Sequence, residues 1–316
     1  MKSAFLILLL LLATAASAQQ KRADPNKFAL IIDGAGGDPA YAKQFEEWTA
    51  ELKSALSDRY GFGGQQTTVL PHATAEDVKR TFAQLKSQLD TNNVLFVFLI
   101  GHGSFDGKES KFNLVGPDLS ASDYNALLSA LPTRRVVVFN MSSASGEFVK
   151  SLSAKGRIVI TATRNGQESN ATRFTGFFIA ALNANDADTD QDGHISVLEA
   201  FVYANRLTAD FYTRAGRLAT EHALLEDNGD GVGHEKAEAG EGLLARATYL
   251  DSLSIDEAAA NAATGRLMKE RTRLEGEIEQ LIARKQNMLV NEYEATLERL
   301  FIELAKVNRS IKQAGS

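Results

Sequence analysis

Two apolar stretches of the sequence each end in residues that could do chemistry. Residues 94–100 are all apolar and run into a Gly-His-Gly sequence centred on His102, while residues 136–139 run into small and hydroxyl side chains that include Ser143. Uninterrupted apolar runs of this kind are typical of strands buried on both faces of a parallel sheet. Because the carboxyl ends of parallel strands meet at one edge, we expect His102 and Ser143 to lie side by side, close to hydrogen-bond reach. A histidine that merely closes a strand is the alternative interpretation.

A second candidate site is the segment 188–199, whose sequence is DTDQDGHISVLE. Carboxylates at loop positions one, three, five and twelve, with glycine at six, match the calcium loop of an EF-hand, which surrounds a hard cation with oxygen ligands. The sequence therefore predicts a Ca²⁺ site in which residue 194 contributes its backbone carbonyl and residue 196 acts through water. An acidic, solvated loop is the alternative. The predicted ligands are Asp188, Asp190, Asp192, His194, Ser196 and Glu199.

A further acidic stretch follows at residues 225–233. It contains Asp227, Asn228 and Asp230, which could coordinate calcium, but it has no glutamate at the closing position of a calcium loop. The composition favours a glycine-rich surface loop, and a second ion within residues 226–235 is the alternative.

The elements that must position these residues alternate along the chain. Short apolar runs predict strands, and the segments between them carry apolar residues at helical spacing. This alternation predicts one α/β domain over residues 19–250, with a mostly parallel sheet covered by helices on both faces. The predicted strands are 28–32, 67–70, 94–100, 135–140 and 156–161.

The beginning of the chain has a different composition. Residues 1–18 combine a short basic start, an apolar stretch and Ala-Ser-Ala before polar glutamines, which predicts a secretory signal peptide and hence a secreted or periplasmic protein. A membrane anchor is the alternative. The chain has no cysteine, so it relies on no disulfides and has no thiol nucleophile. The formal net charge of -6 argues against nucleic acid as a partner, and no later run is long enough to span a membrane.

After a predicted linker at 251–264, the composition of residues 265–312 shifts to Glu, Arg, Lys, Leu and Ala. Apolar residues recur there in steps of three and four, which is the narrow seam of a coiled coil. One continuous helix of this length would extend roughly 70 Å. We expect self-association or a partner helix along the seam, and a helix packed on its own domain is the alternative. The seam residues are Leu267, Leu274, Ile278, Leu281, Met288, Tyr293, Leu297, Leu300, Leu304, Val307 and Ile311.

The order of these motifs resembles the caspase/legumain group of cysteine peptidases, nearest to the legumain-like branch, over roughly residues 27–210. The matching features are a buried strand into Gly-His-Gly, a buried strand into a turn ending Ser-Gly, and a strand ending Thr-Ala-Thr. The resemblance implies a caspase-like three-layer α/β/α sandwich. It also implies that His102 is the general base or acid and that the backbone amide of Gly103 helps to form the oxyanion hole.

The chain departs from this group at two positions of the implied site. Ser143 takes the place of the nucleophilic cysteine, or Ser142 does if the alignment shifts by one residue. Phe177 falls where legumains carry an acidic pocket residue. Serine lacks the partly ionised thiol of cysteine and needs a close base that a third group orients. No carboxylate is clearly placed for that role, although Asp106 is near in sequence.

Two functions remain open on the sequence alone. One is a secreted, calcium-binding pseudopeptidase that acts by binding a protein or peptide at the sheet edge. The other is a calcium-dependent peptidase or hydrolase with Ser143 as nucleophile and His102 as base.

Overall fold

A computed structural model of the chain describes residues 24–191, 193–237, 241–250, 262–284 and 288–314. The predicted signal peptide, the predicted calcium ligand Asp192 and residues 251–261 of the predicted linker lie outside the described residues.

A six-stranded sheet forms the centre of the fold, in the order β2-β1-β3-β7-β8-β9. All neighbouring pairs are parallel except the last, in which β9 runs antiparallel to β8. A small antiparallel sheet, β4-β5-β6, follows the third strand. The strands are β1 (Lys27–Asp33), β2 (Thr67–Leu70), β3 (Val94–Ile100), β4 (Gly103–Phe105), β5 (Ser110–Phe112), β6 (Leu119–Ser120), β7 (Arg135–Asn140), β8 (Arg157–Thr161) and β9 (Leu224–Glu226).

Helices cover both faces of the central sheet. Because successive strand residues point to opposite faces, β1 divides its side chains between two cores, with Ile31 in one and Leu30 in the other. The first core contains residues of α1, α5 and α6, and the second contains residues of α2, α3 and α4. The predicted α/β fold with a mostly parallel sheet between two helical layers is therefore confirmed. The helices are α1 (Pro39–Asp58), α2 (Ala75–Gln88), α3 (Ala121–Ser129), α4 (Glu147–Leu152), α5 (Phe174–Asn183), α6 (Val197–Arg214), α7 (Leu243–Ala247), α8 (Ala262–Ala283) and α9 (Val290–Ala314).

The C-terminal segment forms two long helices, so the predicted long C-terminal helix is confirmed but is divided into two. Helix α8 begins inside the predicted linker, and the chain folds back between α8 and α9. Leu274 and Leu281 of α8 share an apolar cluster with Tyr293 and Leu300 of α9. The seam is thus used within a helical hairpin, and Ile311 also contacts Tyr249 of the domain. Self-association through the C-terminal helices stays a prediction.

No helix within the described residues is long and apolar enough to cross a membrane.

Candidate functional site

The carboxyl ends of the parallel strands bring the candidate residues to one edge of the sheet. In the register of β3 and β7, Leu99 lies opposite Asn140, so the chain leaves both strands at the same level. His102 and Ser143 therefore follow adjacent strands, as the apolar runs predict.

The backbone of Gly103 holds the hydroxyl of Ser143. The Ser143 Oγ accepts a hydrogen bond from the Gly103 N–H at 3.1 Å and donates one to the Gly103 carbonyl, also at 3.1 Å. Ser143 is only 2% exposed. A Cβ at position 103 would lie 2.2 Å from the Ser143 carbonyl oxygen, so only glycine permits this approach. The two strand ends therefore pack backbone against backbone.

The imidazole of His102 lies against the first helix. Its ring is edge-on to the rings of Tyr41 and Phe45, with centroids 4.7 and 5.0 Å away. Burial lowers the pKa of His102, and a hydrogen bond with the backbone of Gly36 offsets part of that effect. Burial therefore favours the neutral imidazole. Of the hydrogen bonds between described residues, none joins His102 to the Ser143 hydroxyl, whose two bonds go to Gly103.

The alternative nucleophile, Ser142, is also occupied and buried. Its hydroxyl donates to the Asn140 side chain at 2.7 Å, and the residue is fully buried. The segment after β8 covers the same loop, because the Ala144 N–H donates to the Glu168 carbonyl at 2.8 Å. A Cβ on Gly146 would lie 2.3 Å from backbone atoms of this segment. The serine loop is therefore enclosed by its neighbours.

Two further predicted residues take structural positions. Asp106 forms an ion pair with Lys111 at 3.1 Å and accepts backbone hydrogen bonds from Lys108 and Glu109, which together lower the pKa of Asp106 to about 2. The Asp106 carboxylate is therefore engaged by these three residues and does not orient His102. Phe177 packs against Phe211 with ring centroids 6.2 Å apart.

Asp33 is a further candidate functional residue at this edge, and no motif in the sequence indicates it. It ends β1 at the carboxyl edge of the sheet and is 1% exposed. No described group donates a hydrogen bond of normal geometry to either carboxylate oxygen. Burial raises the pKa of Asp33 to about 6, the negative charge of Glu46 adds to the rise, and His72 lowers the pKa in part. The only signal in the sequence is its position at the end of an apolar run.

Asp33→Asn is expected to stabilise the protein at pH 8 by as much as about 3 kcal/mol, the free energy that corresponds to the rise from 3.8 to about 6. Because the folded-state pKa is raised, the unfavourable contribution of Asp33 to stability is absent below pH 3.8, grows as the pH rises from 3.8 to about 6, and is complete above that. The gain should therefore vanish toward pH 4. Urea unfolding across this pH range measures the difference. Glu51→Gln, on the exposed surface of α1, is the control, and a gain independent of pH would contradict the prediction.

The predicted calcium loop brings three of its carboxylates together. One oxygen each from Asp188, Asp190 and Glu199 can be chosen so that all lie within 4.8 Å of one another. Gly193 adopts φ +89, and its N–H donates to the Asp188 carboxylate at 2.9 Å, which closes the turn. Asp192, predicted at position five, lies outside the described residues.

Glu199 joins the two ends of this loop. Its Oε2 accepts hydrogen bonds from the Ser196 N–H at 3.0 Å and the Ser196 hydroxyl at 2.9 Å, which caps α6. Its Oε1 accepts from the N–H of Thr189 at 2.8 Å. Ser196 therefore has a capping role, and the His194 ring packs edge-on to Tyr249 at 5.8 Å.

A strand-like contact supports the loop from outside. The Val197 N–H donates to the Thr248 carbonyl at 2.8 Å, and the Leu250 N–H donates to the Ile195 carbonyl at 3.2 Å. Although the sequence shows a single calcium loop, residues 248–250 give it an antiparallel partner. Nothing in the composition of residues 248–250 signals this long-range pairing.

The acidic stretch after β9 is partly a structural anchor and not only a surface loop. Asp227 is 5% exposed, and its two carboxylate oxygens accept from the backbone N–H groups of Gly242 at 2.8 Å and Ala245 at 2.7 Å. It therefore holds the first turn of α7. Asn228 and Asp230 lie on the exposed side of the turn, and a second ion in this stretch stays a prediction.

No family model matches the sequence, and a search of curated proteins found no match. Among solved structures, a protein from Geobacter sulfurreducens is similar with a TM-score of 0.44 and 16% identity, over 64% of this chain and 93% of that one. Caspase-1 from Spodoptera frugiperda is similar with a TM-score of 0.41 and 10% identity, over 64% of this chain and 86% of that one. Both similarities concern the fold alone.

Proposed function

We propose that this chain is a secreted or periplasmic calcium-binding protein of caspase-like fold that binds a peptide or protein at the carboxyl edge of its sheet without cleaving it. The observation that carries the proposal is the position of the Ser143 hydroxyl, which both accepts from and donates to the backbone of Gly103 at 3.1 Å.

This arrangement leaves two requirements of a serine nucleophile unmet. Attack on a carbonyl needs a base that takes the hydroxyl proton, yet the Ser143 proton is donated to a carbonyl oxygen and the His102 ring lies against Tyr41 and Phe45. An oxyanion hole needs a free donor, yet the Gly103 N–H already donates to Ser143. Hydrolysis would need both the hydroxyl and the amide to be released.

An open cleft beside the serine loop offers a place for a partner. A cavity of about 630 Å³ lies between the start of α4, the segment after β8 and residues 231–236. Lysine, arginine and glutamate side chains line it together, which suits a peptide with charged side chains. Arg164 is about half exposed at its rim and pairs with Glu168 at 3.4 Å and Glu235 at 3.7 Å.

The residues of the predicted calcium loop fit a bound Ca²⁺. Asp188, Asp190 and Glu199 offer three clustered carboxylates, and Ca²⁺ takes six to eight oxygen ligands in flexible geometry. Bound calcium would supply positive charge to this cluster. Glu199 would tie the ion to the first turn of α6 through the cap that it already forms with Ser196.

A serine-reactive phosphonate probe and a peptide selected from a displayed random pool test the proposal together. We expect wild-type protein to gain no probe mass, to bind the selected peptide, and to leave it intact over hours. Arg164→Ala should weaken binding about tenfold if the cleft holds the peptide, because it removes a charged contact at the rim.

Two controls decide between the outcomes. Arg299→Ala removes an equally exposed, ion-paired arginine of α9 and should leave peptide affinity unchanged. Probe labelling with peptide hydrolysis, both lost in Ser143→Ala, would overturn the pseudopeptidase and establish the serine hydrolase. Equal losses in both arginine variants would contradict binding in the cleft.

A further inference from the structure

An ion pair joins the calcium loop to the C-terminal hairpin. The Arg271 guanidinium of α8 lies 2.5 Å from a carboxylate oxygen of Asp190, which is position three of the loop. Arg271 is 3% exposed, and its guanidinium also lies over the ring of Tyr249 at 5.4 Å. A buried positive charge from the tail is therefore placed on a predicted calcium ligand.

We propose that Ca²⁺ and Arg271 compete for Asp190, so that calcium binding loosens the hairpin from the domain. This inference rests on the calcium site proposed above and adds its regulation. Calcium bound by Asp190 would contact the carboxylate that now pairs with the Arg271 guanidinium. The ion and the guanidinium would then be two cations on one carboxylate, at low solvent exposure where screening is weak.

The packing between the hairpin and the calcium loop leaves a cavity. A cavity of about 330 Å³ separates the loop and α6 from the hairpin, so this part of the interface is incompletely packed. Leu198 and Val202 line one wall, and Ile278, Phe301 and Leu304 line the other. Segments with few packed contacts open at low free-energy cost. Loss of the Arg271 contact should therefore weaken the docking of the hairpin on the domain.

Thermodynamic linkage predicts the direction in which calcium affinity should change when the Arg271 contact is lost. If calcium weakens docking of the hairpin, docking must weaken calcium binding by the same factor. Removing the arginine charge should then raise calcium affinity. The typical range of such couplings predicts an increase of about five- to 150-fold.

Calorimetric titration of the full chain with Ca²⁺ tests whether calcium affinity rises when the arginine charge is removed. Arg271→Gln keeps hydrogen-bonding groups but removes the charge, and its Kd should fall about five- to 150-fold. Arg271→Lys keeps a charge and should stay near wild type. Arg273→Gln changes an arginine of the same helix that pairs with Glu270 and Glu277 and should leave the Kd unchanged.

Hydrogen exchange of the wild-type amides with and without calcium gives a second readout that needs no variant. Exchange in α8 and α9 should become faster with calcium, while exchange in the central strands should not. Equal Kd values in wild type and Arg271→Gln, or weaker binding in the variant, would overturn the competition while leaving calcium binding intact. Absence of calcium binding in every variant would instead overturn the calcium site itself.

Discussion

Saturating calcium is expected to raise the melting temperature of the wild-type protein by on the order of 5–10 °C, and Glu199→Gln should remove most of that rise. A ligand that binds only the folded state stabilises it by about 2.7 kcal/mol when its free concentration is a hundred times Kd. For a domain of this size, 1 kcal/mol corresponds to roughly 2–4 °C. Thermal unfolding in chelator and in millimolar calcium measures the shift.

Glu199→Gln separates the two roles of this side chain. The amide oxygen of glutamine can still accept from Ser196 and retain the cap of α6, while the amide nitrogen cannot accept from the Thr189 N–H and the charge needed for the ion is lost. The variant should therefore melt somewhat below wild type in chelator and respond little to calcium. Glu47→Gln, which removes an exposed carboxylate of α1, should show the full rise. A wild-type melting curve that millimolar calcium leaves unchanged would refute the calcium site.

The local signals of the sequence predicted the elements that carry the site. The uninterrupted apolar run of β3 has no other stable place than the centre of a sheet, and all seven of its residues are buried. Thr74 and Asp77 form the capping box that begins α2. Because β3 and β7 pair in parallel, their carboxyl ends lie side by side. His102 and Ser143, which follow these ends, therefore lie at the same edge of the sheet.

The direction of side chains at that edge could not be predicted in the same way. The bonds between Ser143 and Gly103 depend on how two turns pack against each other, and neither turn has a periodic pattern. The hairpin could not be predicted for a related reason, because a seam with steps of three and four looks the same whether its partner is another chain or the next helix. Residues 284–289, between the two helices, contain no proline or glycine to mark the reversal.

Gly103→Ala is expected to lower the free energy of unfolding by about 3–5 kcal/mol, because the new methyl group has no space. The ideal Cβ position lies 2.2 Å from the Ser143 carbonyl oxygen and 3.0 Å from the Lys111 carbonyl oxygen. Both are backbone atoms, so the strands must separate and the Ser143 hydroxyl must lose its two bonds. Denaturant unfolding followed by the fluorescence of Trp48, the one tryptophan of the chain, reports the loss.

Gly64→Ala is the matched control, because a Cβ at that position meets no atom within 4 Å, and its effect should stay within about 0.5 kcal/mol. If Gly103→Ala were as stable as this control, the close approach of the two turns would not exist in solution. The Ser143 hydroxyl would then be free of the Gly103 backbone, and the amide would be free to stabilise an oxyanion. The stability of this one variant therefore tests whether the Gly103 backbone holds the Ser143 hydroxyl, and this contact is the basis of the proposed non-catalytic role.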